Sequence, residues 1–448
     1  MKKHSVLLKE DKCEGCTNCV KNCPTKAIRV HQGKAKIKED LCIDCAQCIR
    51  TCEYHAKYTE TDSLDKLKDY NYPVVLIPPS FYGQFGKEID VSIIHDALKE
   101  IGFSAVYDVA MAAEAISRKT LDFLCNNDGL FISSSCPVIV RLIKLLYPEL
   151  VDHLMHLKPP VELMAEKVKR ELIKNEEKSG EDIGVFFITP CPAKLTAVKN
   201  PPAMEKSFFD GAIAVEKVYD KVIDNISKIN EDKKLRKDSQ KSPYFGIGWG
   251  QSGGEEEILK RWDKKNTISV AGISNVKKIL DEITRNNLSD LKYLELVACP
   301  QGCVGGVLNV VNPFQAKFNI QRILNKCNSD NHSCLVEQNY DAYNYKLDGP
   351  FEVQEAGKLD DDFEKAMEKL SEMEKVIEDL PGLDCAACGA PDCETLAEDI
   401  VNGEAQKTDC VFMLRKRVGD LADEMSNLAH ALPPVMSKKR KEEDNDDN

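Results

Sequence analysis

Closely spaced cysteines dominate the first 60 residues and limit what this segment can fold around. The run CEGCTNCVKNCPTKAI at 13–28 matches CIDCAQCIRTCEYHAK at 42–57 at every cysteine, at an offset of 29 residues. The chain has 19 cysteines in 448 residues and begins without a recognisable secretory signal. In a chain of this kind, thiols are expected to bind metal in a reducing compartment rather than to form disulfides.

The first run has the spacing C-x2-C-x2-C-x3-C-P, which is typical of bacterial ferredoxins. In two-cluster ferredoxins, three cysteines of a run hold one 4Fe-4S cluster and the fourth serves the other cluster. The first predicted ligand set is Cys13, Cys16, Cys19 and Cys52, and the second is Cys42, Cys45, Cys48 and Cys23. A pair of zinc sites is the alternative, but zinc ligands usually come as two pairs separated by a longer spacer.

Composition and charge exclude several classes of function. The net charge of −13 argues against nucleic acids and anionic membranes as partners. No apolar stretch is long enough for a membrane span, and 42% hydrophobic with 30% charged residues is a globular composition. The length predicts roughly two to four domains. A cytoplasmic location is expected.

Residues 70–345 alternate between buried-strand and amphipathic-helix patterns, as in YPVVLI, AVYDV, VFFIT and YLELV with the helical segments between them. This alternation predicts a parallel sheet with helices on its faces and functional sites at the carboxyl ends of its strands. Cys136, Cys191 and Cys299 each follow an apolar run and precede a proline. Taken singly, each would more often be a small core residue. Together with Cys303, they are expected to meet at one edge of a parallel sheet.

The C-terminal region carries a third cysteine set, in CAACGAPDC and KTDC. Cys385, Cys388, Cys393 and Cys410 resemble the small 4Fe-4S domain of corrinoid iron–sulfur proteins and of electron-transport subunits of anaerobes, with a zinc site as the alternative. A charged helix is predicted over 358–380. The amphipathic segment 413–431 is expected to pack on its own domain or to pair with a partner helix or a second copy.

Three motifs of the middle region resemble those of the iron–iron hydrogenases: SSSCP at 133–137, TPCPAK at 189–194 and ELVACPQGCVGG at 295–306. The resemblance spans about residues 1–345. It implies a catalytic cofactor, the H-cluster, in which Cys136, Cys191, Cys299 and Cys303 hold a 4Fe-4S cluster. It also implies that Cys303 bridges to a two-iron subsite with carbonyl, cyanide and dithiolate amine ligands.

The same resemblance implies roles for residues around the two-iron subsite. Lys194 would donate a hydrogen bond to a cyanide ligand, which suits an ammonium beside a metal-bound anion. Pro79 and Ser80, in IPPS, would contact the other cyanide. Thr189 and Val297 stand where the family usually has methionines and are carried over as cofactor-binding positions.

The departures from the family pattern concern proton transfer. Ser135 stands where fast members have a cysteine that passes protons to the bridging amine, and Ala197 stands where they have a glutamate. A hydroxyl is a far weaker acid than a thiol, whose pKa is about 8.5. The metal ligands are thus kept while the usual proton path is interrupted, which resembles the sensory branches of the family. Ser135, Lys194 and Cys303 are the predicted catalytic residues.

These features predict an α+β multidomain protein. A two-cluster ferredoxin domain is expected at 1–60, a hydrogenase-type domain with two parallel-sheet lobes at 70–345, a helical 4Fe-4S domain at 350–432 and a disordered tail at 433–448. Four 4Fe-4S clusters are expected in total.

The predicted function is slow conversion between dihydrogen and protons, coupled to electron transfer, with a sensory or regulatory role in an anaerobe. Its expected partners are dihydrogen, protons and a ferredoxin-like redox protein or a signalling protein, and a homodimer is one expected assembly. The alternative is a non-catalytic iron–sulfur electron-transfer or cluster-assembly protein.

Overall fold

The computed structural model describes residues 4–86, 89–175, 179–231, 244–262, 266–329, 343–355 and 357–431. The first region contains β1 (Val6–Leu8), α1 (Asn18–Lys21), β2 (Ile28–His31), β3 (Lys34–Ile37), α2 (Gln47–Arg50) and β4 (Lys57–Thr59). β1 pairs antiparallel with β4, and β2 pairs antiparallel with β3.

The sequence repeat of the first region is also a repeat of backbone conformation. Thr17 and Ala46 each precede a short helix with left-handed φ angles of 62° and 61°. Lys26 and His55 have φ angles of 52° and 50°. Residues other than glycine adopt this conformation rarely. Because both pairs are separated by the same 29 residues as the cysteines, the two runs follow the same unusual path.

The second region begins with a four-stranded parallel sheet in the order β6-β5-β8-β9. In chain order, its elements are β5 (Tyr72–Ile77), α3 (Pro79–Tyr82), α4 (Val91–Lys99), β6 (Ala105–Asp108), α5 (Val109–Asn126), β7 (Phe131–Ile132), α6 (Pro137–Leu146), α7 (Pro160–Asn175), β8 (Ile183–Thr189), α8 (Pro192–Lys199), β9 (Gly211–Ala214), α9 (Val215–Glu231), α10 (Tyr244–Ile247), α11 (Gly254–Trp262), β10 (Thr267–Ala271), α12 (Ile273–Thr284), β11 (Tyr293–Val297) and α13 (Pro313–Ser329). Helices α4 and α9 cover one face of the sheet, and α5 and α7 cover the other. Its strands are continuous apolar runs because both faces are buried.

A second parallel sheet has the order β10-β11-β7 and packs against α6 and α12. The expected Cys-Pro steps follow strands of both sheets. Cys136 and Cys299 follow β7 and β11, whereas Cys191 follows β8 of the four-stranded sheet. The prediction of parallel sheets is therefore confirmed, but the prediction that the thiols share one sheet edge is wrong. The parallel strands divide into two sheets, and their carboxyl ends line a common cavity.

The third region contains α14 (Phe363–Asp379), α15 (Cys393–Val401) and α16 (Val411–His430). The first of these begins later than the predicted residue 358, because the side chain of Asp362 accepts hydrogen bonds from the amides of Glu364 and Lys365 and caps the helix there. The prediction of a disordered tail at 433–448 lies outside the described residues. Among the described helices, none has both the length and the apolar character needed to cross a membrane.

The third region docks on the first region through a buried ion pair and a backbone hydrogen bond. Arg29 pairs with Asp399, and both side chains are buried. Lys38 Nζ lies 2.7 Å from the same carboxylate. The amide of Val30 donates to the carbonyl of Gly389 at 2.9 Å. A Cβ on Gly389 would lie 2.1 Å from the Val30 carbonyl oxygen, so this contact requires glycine.

Candidate active site

Cys136 and Cys191 each lie at a junction between strand and helix. Pro137 is the first residue of α6, and Pro192 is the first residue of α8. Proline suits this position because its φ angle is already helical and the amide hydrogen that it lacks would have no partner there. The Cys-Pro step therefore holds each thiol at the carboxyl end of a strand. Cys299 follows β11, which lies in the same three-stranded sheet as the β7 strand that precedes Cys136.

A cavity of about 1020 Å³, counting its opening to solvent, lies where the two sheets meet. Its wall includes nearly all the predicted active-site residues. These are Cys136, Cys191, Cys299, Cys303, Ser135, Lys194, Pro79, Ser80 and Val297. Thr189 is absent from the cavity wall formed by the described residues. Its buried hydroxyl donates to the carbonyl of Cys191 at 3.0 Å, so it shapes the turn that carries that thiol.

Two glycines allow the turn that carries Cys303 to pack closely against its neighbours. A Cβ on Gly306 would lie 2.2 Å from the carbonyl oxygen of Pro190. A Cβ on Gly302 would lie 2.4 Å from the amide nitrogen of Ser252, and its φ angle of 83° is left-handed. Because Gly302 and Gly306 have no side chains, the turn that carries Cys303 can pack against the turn that carries Cys191.

Burial raises the pKa of the strand-end thiols, to about 11 for Cys136 and above the ordinary value for Cys191 and Cys299. The charge of Cys303 raises each of these pKa values further. Such thiols stay protonated at neutral pH and lose their protons when they coordinate a metal. Four half-buried sulfur donors on one cavity wall fit a 4Fe-4S cluster.

Two further polar groups on the cavity wall fit an anionic ligand. Lys194 Nζ lies 3.8 Å from Cys303 Sγ. Burial alone would lower the pKa of Lys194, but the charges of Cys303 and Cys191 outweigh burial and raise it. The hydroxyl of Ser80 is fully buried and has no hydrogen-bond partner among the described residues. Because an unpaired buried hydroxyl costs about 1–3 kcal/mol, a ligand that accepts from Ser80 would be stabilised here.

A hydrogen-bonded series of side chains begins at Ser135 and runs along the cavity wall, which also includes Ser133, Glu255 and Glu295. The hydroxyls of Ser133 and Ser135 lie 3.2 Å apart, and Ser133 donates to Glu255 Oε2 at 2.8 Å. Tyr293 donates to the other carboxylate oxygen of Glu255. The hydroxyl of Ser133 thus connects Ser135 to a buried carboxyl group of the same cavity wall.

Glu255 has a second buried carboxyl group, Glu295, as its neighbour. Burial and the charge of Glu295 raise the pKa of Glu255 to about 8. Burial raises the pKa of Glu295 to about 7, although the amides of Glu256 and Gly253 donate to its carboxylate. Both groups can therefore hold or release a proton near neutral pH.

The sequence analysis missed this pair of glutamates. Glu255 lies on α11 and Glu295 on β11, so they are distant in the chain. The one available signal was the acidic residue inside the apolar run YLELV, because a glutamate is rarely buried without a partner.

The thiols of the first region fall into two groups, each with three cysteines of one run and the last cysteine of the other run. One pocket is lined by all four thiols of the first group, which are Cys13, Cys16, Cys19 and Cys52. The second group is Cys42, Cys45, Cys48 and Cys23, in which burial raises the pKa values of Cys42, Cys45 and Cys48 and the charges of neighbouring thiols of the group raise them further. We name them the first and second thiol groups. Their membership is that expected for two ferredoxin-type clusters.

Arg50 connects the second thiol group to the active-site thiols. Its guanidinium donates to Cys299 Sγ at 3.2 Å and to the carbonyl of Cys45 at 3.2 Å. Cys45 also lines the active-site cavity. The second thiol group is therefore directly adjacent to the active site.

The C-terminal cysteines lie on the other side of the first region. Cys393 begins α15 and Cys410 precedes α16. Burial raises the pKa of Cys388, and the charges of Cys410 and Cys385 raise it further. Ala386, inside this set, packs in one apolar cluster with thiols of both groups of the first region. Val30, whose amide donates to the carbonyl of Gly389, lines a pocket with all four thiols of the first thiol group. The C-terminal set is therefore adjacent to the first thiol group.

Family models match three parts of the chain. The model described as iron only hydrogenase large subunit, C-terminal domain, matches residues 71–261 and 250–307. A 4Fe-4S dicluster domain matches residues 5–53, and a model for an Fe-S cluster matches residues 380–412. All the predicted cluster cysteines lie inside these three matches.

Two curated relatives are hydrogenases. Iron hydrogenase 1 of Clostridium pasteurianum is 25% identical over 359 residues, covering 64% of this chain and 62% of that protein. The chain thus spans less than two thirds of the length of this relative. The periplasmic Fe hydrogenase large subunit of Nitratidesulfovibrio vulgaris is 25% identical over 365 residues, covering 68% of this chain and 86% of the relative.

Among solved structures, a variant of an FeFe-hydrogenase from Chlamydomonas reinhardtii matches 62% of this chain and 95% of its own, with a TM-score of 0.42 and 15% identity. The hydrogenase family model itself matches more than half of the 448 residues. Its matched residues include the four cysteines that line the cavity. The chain therefore belongs to the iron-only hydrogenase family and carries an N-terminal ferredoxin-like dicluster domain.

Proposed function

We propose that this chain is a slow iron–iron hydrogenase with a sensory or regulatory role. The observation that carries the proposal is the composition of the cavity wall. Four thiols and Lys194 are present to hold the cofactor, whereas Ser135 takes the place at which a more acidic thiol would serve proton transfer. The chain would then bind and convert dihydrogen, but proton exchange would limit the rate.

In this proposal, Cys136, Cys191, Cys299 and Cys303 would hold a 4Fe-4S cluster, and Cys303 would also be a ligand of the two-iron subsite. When bound, that subsite would supply the centre at which dihydrogen is split or formed. Lys194 and Ser80 would donate hydrogen bonds to its anionic ligands, and both side chains line the cavity, Ser80 fully buried and Lys194 half-buried. Pro79 and Val297 would provide apolar contacts there.

Protons would enter and leave through the series that begins at Ser135. Ser133 would relay a proton between Ser135 and Glu255, and Glu255 would share it with Glu295. Glu295 also hydrogen-bonds Ser269, which is partly exposed, so the series extends toward solvent. The step at Ser135 would be slow because an aliphatic hydroxyl is a much weaker acid than a thiol.

Electrons would pass between the active site and the second thiol group, next to Arg50, and then to the first thiol group. The C-terminal set would form the far end of this series, since it packs on the first thiol group. Each of the three outer sets would hold one 4Fe-4S cluster. A ferredoxin-like protein or a signalling protein would exchange electrons with this series.

A non-catalytic electron-transfer or cluster-assembly protein is the second candidate. Ser135 and Ala197 favour it, since both depart from positions that serve proton transfer in fast members of the family. Such a protein would bind the four clusters without the two-iron subsite. The expected cytoplasmic location stays a prediction, because one relative is named a periplasmic protein.

An infrared experiment tests the proposal directly. The protein is reconstituted with iron and sulfide without oxygen and then supplied with a synthetic two-iron subsite. Bands of metal-bound carbonyl and cyanide are expected, and they should shift under dihydrogen. Protein with four 4Fe-4S clusters but no such bands would instead support the electron-transfer or assembly function.

Two variants make this spectrum specific. Cys303→Ser should lose the bands, because the bridging sulfur is removed. Cys385→Ser removes a ligand of the C-terminal set, far from the cavity, and should keep them. Bands that survive in Cys303→Ser would contradict the proposed binding site.

A further inference from the structure

The last described helix, α16, carries an exposed apolar stripe. Its members alternate in spacing between three and four residues. We define the α16 stripe as Val411, Leu414, Val418, Leu421, Met425 and Leu428, which are between 42% and 71% exposed. None of the 20 residues of α16 is buried. Within the described part of the chain, the stripe therefore has no cover.

The spacing is that of the seam of a coiled coil. An apolar residue every 3.5 positions keeps facing one partner when two helices wind around each other. Leucine occupies every second seam position, and Val411, Val418 and Met425 occupy the others. The helix is about 30 Å long, which gives nearly three heptads.

The domain contacts α16 on the side opposite the stripe. Met413 packs in the apolar cluster of the C-terminal domain. Lys416 lies close enough to Asp379 of α14 to help lower the pKa of that carboxyl, which Lys407 lowers most. With Val411 at position a and Leu414 at position d of the heptad, Met413 and Lys416 occupy positions c and f, on the side of the helix away from the seam. The stripe therefore points away from its own domain, and a second protein helix can reach it.

The charges of α16 identify the partner and its direction. Three cations in the first half are followed by three anions: Arg415, Lys416, Arg417, Asp420, Asp423 and Glu424. This order opposes the helix dipole, which favours anions near the start of a helix and cations near its end. An identical helix running in the opposite direction would place each charged half beside its complement.

We propose that α16 pairs antiparallel with α16 of a second copy of this chain. The symmetric seam then places Val411 against Leu428, Leu414 against Met425 and Val418 against Leu421 of the other copy. Arg417 lies beside Glu424 of the other copy, and two-fold symmetry repeats this pair. A parallel dimer would place Arg417 beside Ala422 instead, without a charge partner.

The antiparallel arrangement separates the two C-terminal cysteine sets. Cys410 precedes the first residue of α16, so the two sets lie at opposite ends of the paired helices, about 30 Å apart. The dimer would therefore join two independent copies and would not place their C-terminal clusters side by side.

Sedimentation analysis of the full-length chain without oxygen tests the proposal. The wild type should associate reversibly into dimers at micromolar concentration. Leu421→Glu places a charge at the centre of the seam and should weaken association at least about 100-fold. Phe363→Glu, at an exposed apolar residue of α14, is the matched control and should still dimerise.

Charge exchange tests the direction of the helices. Arg417→Glu and Glu424→Arg should each weaken the dimer about 10-fold, because each replaces two opposite-charge contacts with like-charge contacts. The double variant should regain the wild-type affinity. A dimer that is lost in Leu421→Glu but insensitive to both charge variants would be parallel and would overturn the antiparallel proposal.

Two other results would overturn the proposal altogether. One is a wild type that stays monomeric at all concentrations. The other is a full-length chain that stays monomeric and dimerises only when residues 432–448 are deleted. That result would mean that the end of the chain covers the α16 stripe. Circular dichroism of each variant checks that α16 remains helical.

Discussion

Ser135 is the cavity residue that departs most from the residues expected in a fast hydrogenase. Its hydroxyl lines the cavity beside Cys136 and lies 3.2 Å from the hydroxyl of Ser133. A hydroxyl can accept and donate hydrogen bonds, but it releases a proton far less readily than a thiol. In the proposed function, Ser135 would therefore order a proton path while slowing transfer along it.

Ser135→Cys should raise dihydrogen turnover about 10-fold or more, because a thiol lowers the cost of proton release at the cavity. The measurement is the rate of dihydrogen production by fully matured protein, with cofactor content determined by infrared spectroscopy. Ser134→Cys, one position away, is the control and should have no effect. An unchanged rate in Ser135→Cys would mean that another step limits turnover.

Glu255→Gln should lower proton exchange about 100-fold, because the amide cannot pass a proton between Ser133 and Glu295. The measurement is exchange between deuterium gas and water protons at equal cofactor content. Glu162→Gln is the matched control, since burial also raises the pKa of Glu162 to about 7. Ser207 and the amide of Phe208 hold that carboxylate, and no hydrogen bond to Ser135 is present among the described residues.

The same variant has an expected effect on stability. Burial raises the folded-state pKa of Glu255 to about 8, above an unfolded value of about 4.3. Between these two values the folded form holds the proton more tightly, so stability falls as pH rises through the window. Glu255→Gln should therefore be more stable than the wild type at pH 9 and similar to it at pH 4. Equal stability at pH 9 would contradict the raised pKa.

Among the structural elements, strand followed by Cys-Pro followed by helix is the unit that builds the active site. It occurs after β7 and after β8, in two different sheets. Its strand and helix were predictable from apolar runs and from proline at the first helical position. The resemblance implied two parallel-sheet lobes, but the assignment of strands to each sheet was not predictable, because β7 has only two residues and pairs with a strand far along the chain.

Gly306→Ala should prevent binding of the active-site cluster. The added Cβ would lie 2.2 Å from the Pro190 carbonyl oxygen, so the Cys303 turn would have to move away from the Cys191 turn. Gly305→Ala is the control, because its Cβ would find only contacts of 3.5 Å or more. Iron content and electron paramagnetic resonance should show the loss of one cluster in the first variant only. A full cluster content in Gly306→Ala would show that the turn tolerates the shift.

At the scale of the whole molecule, the three regions form one continuous arrangement of thiol sets. The active-site thiols lie beside the second thiol group through Arg50, and the first thiol group lies beside the C-terminal set through Ala386. The buried ion pair between Arg29 and Asp399 holds the third region against the first region. The docking of the third region is thus part of the proposed electron path.

Asp399→Asn should loosen the third region from the first. Removing the carboxylate leaves Arg29 buried without its counter-charge, which typically costs about 3–5 kcal/mol. Hydrogen exchange of residues 380–410 should increase relative to the wild type. Glu404→Gln is the control, since it removes the other, exposed partner of Lys38 and should cost about 0–1 kcal/mol. Equal exchange in both variants would mean that the ion pair does not hold the docking.

The sequence by itself determined the local chemistry of this protein. The cysteine spacing specified which thiols could act together, since a repeat of 29 residues carries both the ligands and the turns that present them. Apolar runs specified the strands, and the Cys-Pro steps specified where thiols would stand. These features are local because spacing and backbone preference act over a few residues.

Only the tertiary structure decided which distant residues meet at the cavity. Pairing of β7 with β11 brings Ser133 to Glu255 and Glu295, which no local pattern connects. Because Gly389 has no side chain, the backbone of the C-terminal cysteine set can pack closely against the first region. Such contacts depend on strand order and on close packing between distant segments. Burial then raises the pKa values of these two glutamates, and burial exists only in the folded chain. Their proposed role in proton transfer was therefore not predictable from the sequence.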